Sequence, residues 1–349
     1  MGHEHIGPGW SEDVGTFGIT PGDGRRDRER RDAHRRAGPP YARTAPRRAS
    51  ERHPGGSAGQ PADLLLKAEH LQVLGSFKLR GAYNAVALLP KDVRARGVIT
   101  FSSGNHGKAV AHAAALHGVK ATVVMPDTAP GVKIDGVRAL GATVELVPPK
   151  RRDVHPYELA ERTGAHVVHP FDTRDVSAGQ GTVGLEILRQ VPTVSAVLVP
   201  VSGGGLISGV AVAVKALRPD VAVIGVEPEL AADAAQSLAE GERAVWPAER
   251  VYRTRADGLR ATSLGKLPWA HVRRLVNDIV TVSEDDIGQA LHCPARHGKQ
   301  FVEPSGAVAP AALLRGRHVP PAGAGPVVCV ASGGNADPAM TAAVLTGTF

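Results

Sequence analysis

The sequence predicts an α/β fold in which parallel sheets are covered by helices on both faces. Two observations carry the prediction. From residue 62 onward, short Val- and Ile-rich runs alternate with helical segments of about 10 to 14 residues, as parallel strands joined by crossover helices require. Several strand-to-helix junctions also hold small polar or glycine-rich loops, "SFK", "SSGNHG", "VSGGGL" and "ASGGN". In open α/β sheets ligands bind at the carboxyl ends of strands, where such loops gather.

The elements follow in order. "ADLLLKAE" reads as a strand and "FKLRGAYNAVALL" as a helix; "GVITFSS" and "NHGKAVAHAAALHG" repeat the pair, as do "KATVVMP" and "APGVKIDGVRALG". "ATVELV" and "HVVHP" read as strands before the helix "GQGTVGLEILRQV". "SAVLVPVS" then leads into "GLISGVAVAVKAL", and "VAVIGVEP" is a further apolar strand. Residues 1 to 60 differ: they are rich in Arg, Pro and Gly with no sustained apolar period, and are read as an atypical, largely irregular segment.

Composition narrows the function. At 349 residues the chain fits one large domain or two ordinary ones, and 42% hydrophobic with 21% charged residues is globular. No window approaches 18 uninterrupted apolar residues, and the N-terminus has no apolar signal run, so no membrane partner is expected. Cys293 and Cys329 fit a reducing cytoplasm. Of the net charge of +7, residues 1 to 60 carry +3, from eleven arginines against eight acidic residues. Those acids are interleaved with the arginines, which suits a solvated segment better than a nucleic-acid arm.

Three motif readings fail. "SSGNHGKA" has Ser102 where a P-loop needs glycine and Ala109 where it needs Ser or Thr. "GGGLIS" has Ser208 at the third glycine of G-x-G-x-x-G, and "MGHEHIG" is not H-E-x-x-H. Two survive. In "PVSGGGLISG", Ser202, Gly203, Gly204 and Gly205 lie between an apolar strand and an apolar helix; the loop suits tight packing, or convergence of backbone N–H groups on a phosphate. Lys78 in "LGSFKLRGAYNA" suits a solvated helix start, or a Schiff-base lysine if desolvation lowers its pKa. A phosphate cradle, a lysine and polar loops at strand ends together are what pyridoxal 5'-phosphate chemistry requires.

Over about residues 62 to 340 the chain also resembles the fold-type II threonine/serine dehydratase (ammonia-lyase) and serine racemase family. "GSFKLRGAYNA", "SSGNHG", "VPVSGGGLISG", "GVEPELAAD", "VEPSGAVA" and "ASGGN" occur in the family's order. The resemblance implies a tryptophan synthase β-like fold with two open, twisted parallel sheets flanked by helices. It implies a large cofactor domain from residues 61–93 and 172–349, a small mobile domain from 94–171, and a homodimer. By the same resemblance Lys78 carries the cofactor and moves the Cα proton, and Phe77 flanks the cofactor ring. Asn105 bonds its 3'-hydroxyl, Ser202 to Gly205 hold its phosphate, Ser332 faces its pyridine nitrogen, and Glu303 supports it. Ser102, Ser103, Asn105 and His106 match the loop for the substrate carboxylate. Glu227, Ala231 and Asp233 match a divalent-metal site of hard oxygen ligands suited to Mg²⁺ or Ca²⁺.

The implied reaction is β-elimination of water from a small hydroxy amino acid of the L-threonine or L-serine type, giving a 2-oxo acid and ammonia. Serine racemisation and threo-3-hydroxyaspartate dehydration are the alternatives. Racemisation needs an acid/base opposite the lysine; racemase-like members have serine at position 103, many threonine dehydratases alanine, and "RADGLRATSLG" resembles the racemase and hydroxyaspartate-dehydratase branch. His106 argues against β-replacement, and a non-catalytic binding protein with a basic arm is the distant alternative. No regulatory domain is expected after the cofactor motifs, which favours a catabolic form. Two stretches depart from the family: residues 1 to 60, and "LHCPARHGKQFVEP", where Pro294 and Gly298 should interrupt a helix.

Overall fold

A computed structural model of the chain describes residues 64–102, 104–318, 321 and 323–348. The expectations for residues 1 to 60 and for Ser103 lie outside the described residues. The strands are β1 (Leu64–Lys67), β2 (Val98–Phe101), β3 (Ala121–Pro126), β4 (Thr143–Val147), β5 (His166–Val167), β6 (Ala196–Pro200), β7 (Ala222–Pro228), β8 (Asp278–Val282) and β9 (Val327–Val330). They form two sheets with every pairing parallel: β1-β9-β6-β7-β8 and β4-β3-β2-β5. β2, β6 and β9 are buried at every position, as their near-continuous Val, Ile and Leu runs require of strands covered on both faces.

The helices are α1 (Lys78–Leu88), α2 (Lys91–Arg96), α3 (Asn105–Leu116), α4 (Gly131–Arg138), α5 (His155–Thr163), α6 (Arg174–Gln190), α7 (Gly205–Leu217), α8 (Asp233–Glu240), α9 (Ala248–Val251), α10 (Lys266–Leu275), α11 (Glu284–Cys293), α12 (Pro304–Leu314) and α13 (Pro338–Thr346). Helix α1 buries Leu79, Ala82, Tyr83 and Val86 in one core with Ala109 and Val110 of α3, Val123 and Met125 of β3, and Val176 of α6. It therefore lies between the four-stranded sheet's helical layer and α6. At about 25 cal/mol per Å² of apolar surface, such faces hold helices far more firmly than intrinsic propensity does.

Three local expectations change. Only His166 and Val167 of "HVVHP" pair as a strand; His169, Pro170 and Phe171 leave the sheet and turn towards the ligand end. β8, "DIVTV", opens on a charged residue and carries no clear apolar strand signal in the sequence, yet it pairs with β7 from Ile224↔Asp278 to Pro228↔Val282. The α-helix before "PARHG" stops at Cys293 and continues as one π-helical turn over Pro294–Gly298, ending at Lys299 with φ 55°. Pro294 has no N–H to continue the α ladder, consistent with the expected interruption.

Candidate active site

Lys78 is the first residue of α1, at the carboxyl end of the five-stranded sheet. The strand-end loops meet there because β1, β9 and β6 are neighbours. Ser76 bridges to Gly333, and the Phe77 N–H donates to the Ser332 carbonyl at 3.1 Å, so "SFK" and "ASGGN" are hydrogen-bonded to each other. Lys78 Nζ donates to the Pro170 carbonyl at 3.0 Å and lies 5.2 Å from the Phe77 ring centre. Part of the residue still faces the cleft, but the atoms packed around the ammonium desolvate it and pull its pKa down to about 8.

The loop Ser202–Gly205 ends at the N-terminus of α7, on the other side of residues 170–171. A Cβ on Gly203 would come within 2.5 Å of the Phe171 ring, and one on Gly205 within 2.9 Å of the Phe171 Cβ. Gly204 has φ 86°, and a Cβ there would approach Leu264 Cδ2 to 2.6 Å. Side chains are thus excluded from the turn, which leaves its backbone N–H groups and the helix dipole to meet an anion. "RADGLRATSLG" braces the loop from outside: the Ala261 N–H donates to Ser202 Oγ at 3.1 Å and the Gly265 N–H to the Gly203 carbonyl at 3.1 Å.

The "SSGNHG" loop enters α3 opposite. Ser102 Oγ accepts from the Gly104 N–H at 3.1 Å. The Asn105 amide is held at both ends: its Nδ2 donates to Glu303 Oε1 at 2.8 Å, and its Oδ1 accepts from Asn335 Nδ2 at 2.8 Å. One Nδ2 hydrogen remains for a ligand. Glu303 also accepts from the Asn335 N–H at 3.0 Å; burial first, then the charge of Asp257, lifts its pKa to about 7. His106 Nε2 lies 3.1 Å from the Val168 carbonyl, which can only accept, so Nε2 carries the proton. Its Nδ1 is buried with no hydrogen-bond partner among the described residues, and burial followed by the Lys78 charge lowers the pKa to about 3. His106 is therefore a neutral ring with an open acceptor near Lys78.

Ser332, at the end of β9, is buried and directs Oγ at the Ser305 carbonyl, 3.4 Å away. Further off, at the end of β7, Glu227 accepts from the Ala234 and Ala235 N–H groups at 3.2 and 2.8 Å. Asp233 is buried beside it, and neither of its carboxylate oxygens closes a hydrogen bond among the described residues. Burial lifts Asp233 to about 7, softened only in part by nearby backbone amides; burial and the facing Asp233 also raise Glu227. Ala231 lies between them in a 3₁₀ turn, buried. No group of three His, Cys, Asp or Glu side chains is gathered among the described residues, so any ion here would need the carbonyl oxygen as a third ligand.

The structure thus brings together Phe77, Lys78, Ser102, Asn105, His106, Ser202 to Gly205, Glu303 and Ser332 at one cleft, with Glu227, Ala231 and Asp233 apart from it. Sequence reasoning missed Pro170, Phe171 and Asn335. The first acts through a backbone carbonyl and the second through its ring, and neither role leaves a residue-type signature. "ASGGN" contained Asn335, but its partner Asn105 lies 230 residues away.

A parallel α/β fold with a desolvated lysine and a glycine-rich strand-to-helix turn at its ligand end fits the class of enzymes that hold a phosphate-bearing cofactor. The chain belongs to the pyridoxal-phosphate dependent enzyme family, whose model matches residues 49–333. It is 45% identical to a serine racemase of Oryza sativa subsp. indica over 72% of this chain and 74% of the relative. It is 44% identical to an L-threonine ammonia-lyase of Thermotoga maritima over 79% of this chain and 68% of the relative. Among solved structures, the processed form of threonine deaminase isoform 2 from Solanum lycopersicum superposes with a TM-score of 0.76 at 38% identity, covering 82% and 83% of the two chains. The expected fold class and cofactor family are thereby established.

Proposed function

We propose that the protein is an ammonia-lyase that eliminates water from L-threonine- or L-serine-type hydroxy amino acids. The observation that carries this is the seating of Lys78 Nζ and the Gly203–Gly205 turn on either side of Pro170 and Phe171. Lysine and glycine turn are more than 120 residues apart in the chain, yet they meet two adjoining residues.

Bound pyridoxal 5'-phosphate would supply the electron sink that acidifies the substrate's Cα–H. The chain's own residues do the rest. Gly203 to Gly205 and Ser202 would hold the phosphate, Asn105 has an Nδ2 hydrogen left that would serve the 3'-oxygen, and Phe77 would flank the ring. Ser332, whose hydroxyl here is directed at the Ser305 carbonyl, would be the neutral partner of the pyridine nitrogen. A neutral partner there leaves the ring a weaker electron sink, which suits elimination better than transamination. Ser102 and the backbone N–H groups at the α3 N-terminus, that of His106 among them, receive the substrate carboxylate. Lys78 Nζ, with a pKa of about 8, is the base that removes the Cα proton near neutral pH.

Racemisation is the second reading, favoured by the serine at position 103 and by relatives that include serine racemases. Further proposals complete the picture: Glu227, Asp233 and the Ala231 carbonyl as an Mg²⁺ or Ca²⁺ site, residues 94–171 as a mobile unit moving over α1, a homodimer, and a cytoplasmic setting. Purified protein supplied with cofactor and with L-threonine, L-serine or threo-3-hydroxyaspartate should release 2-oxo acid and ammonia from at least one. Absence of 2-oxo acid from all three would overturn the lyase reading. D-serine formation that disappears in Ser103→Ala would establish racemisation, and its absence from the wild-type protein would remove that reading.

A further inference from the structure

Beneath the cleft lies a buried charge network that the proposed chemistry does not use. Arg80 follows Lys78 by two residues on α1, and all five of its N–H donors are taken. Nε and Nη2 donate to the two oxygens of Glu69 at 2.7 and 2.8 Å, and Nη1 and Nη2 to the two oxygens of Glu186 at 2.8 Å each. Nη1 also donates to Thr182 Oγ1 at 3.0 Å. Lys67 of β1 adds bonds to Glu186 at 2.6 Å and to Gln190 at 3.1 Å. Arg80, Glu69 and Lys67 are each at most 5% exposed, so these charges are almost wholly removed from water.

A buried ion cluster is weak evidence for stability, because an apolar core of equal volume does as well or better. What it supplies is direction. Helices α1 and α6 cross at glycines: a Cβ on Gly179 would sit 2.5 Å from the Arg80 carbonyl and 2.7 Å from the Gly81 Cα. Apart from the Gln180 side chain against Gly81, the two helices meet there through backbone, so side-chain ridges do little to fix rotation about their axes. Residues two apart lie about 200° apart round a helix. Lys78 therefore faces the cleft while Arg80 faces away, and a rotation of α1 that loosened Arg80 would swing Nζ off the Pro170 carbonyl.

We propose that Arg80, forked between Glu69 and Glu186, is a positioning residue that sets the rotation of α1 and so the aim of Lys78. This rests on the reading of Lys78 as the cofactor lysine. Arg80→Lys keeps the charge but loses the planar two-sided fork, which a single ammonium cannot reproduce.

Two measurements on the full chain test the idea. In protein without added cofactor, labelling of Lys78 by a small amine-reactive reagent is followed across pH by peptide mass. In holoenzyme, kcat and KM are measured with the best hydroxy amino acid. Arg80→Lys should move the Lys78 labelling midpoint towards that of an exposed lysine. It should also lower kcat about tenfold to a hundredfold, with KM changed less than about twofold. Should Arg80→Lys not fold, Glu186→Gln removes one arm only and should move both readouts the same way by less. A folded variant with the wild-type labelling midpoint and kcat overturns the proposal. If the wild-type protein acts on no hydroxy amino acid, the substrate reading falls, and the labelling midpoints still decide the role of Arg80.

Discussion

Burial of its ammonium and a carbonyl 3.0 Å away act on Lys78 in opposite directions. The carbonyl favours the charged form, desolvation favours the neutral one, and desolvation prevails at about 8. A lysine with an ordinary pKa near 10.4 would be almost wholly protonated at neutral pH and a poor nucleophile or base. In Lys78→Ala the visible absorbance that develops when cofactor is added to the wild-type protein should be absent, and 2-oxo acid production should fall to background. A variant that kept both would remove Lys78 from its role. His106 is lowered in the same direction, by burial first and the Lys78 charge second: with a pKa of about 3 it stays neutral, so its ring offers an open acceptor and not a cation.

At the scale of elements, the cradle depends on a helix start stripped of side chains. Gly204 has φ 86°, where an L-residue pays about 1–2 kcal/mol, and a Cβ there meets Leu264 and Pro268 at the head of α10. Gly204→Ala should therefore weaken cofactor affinity about tenfold or more, read by titrating the protein with pyridoxal 5'-phosphate, while the far-ultraviolet circular dichroism stays near wild type. Unchanged affinity would mean that the turn is a packing device only. Both readings of this loop were open in the sequence, since a tight turn and an anion cradle use the same glycines. What favours the cradle is that the turn packs on Phe171 while Lys78 bonds to the adjoining Pro170, a placement that depends on β9 pairing with β6 and on residues 169–171 leaving the sheet.

Across the whole molecule, the Glu227–Asp233 pair links stability to solution conditions. Both folded pKa values are raised, so the pair's favourable contribution is fully present below the unfolded carboxylate values and is lost as pH rises through about 7 for Asp233. A divalent cation would offset that loss only where the carboxylates are ionised. Addition of Mg²⁺ or Ca²⁺ should raise Tm at pH 8 by several degrees, much less at pH 5, and not at all in Asp233→Asn. A Tm insensitive to cation and chelator at pH 8 would count against an ion there.

The sequence by itself determined the architecture and singled out the candidate reacting groups. Apolar periodicity places strands and helices, the steric demands of turns select glycine, and six ordered motifs carried the resemblance. It left β8 unseen, because a short strand opened by an exposed aspartate lacks the pattern, and it extended β5 past the two residues that pair. The tertiary structure alone decided which way Lys78 titrates, how both ends of the Asn105 amide are held, and why Arg80 lies under the lysine. Each depends on desolvation or on a hydrogen bond between residues many positions apart, from 11 for Arg80 and Glu69 to 230 for Asn105 and Asn335. Such terms arise only when the chain closes on itself and excludes water, and no local pattern encodes them.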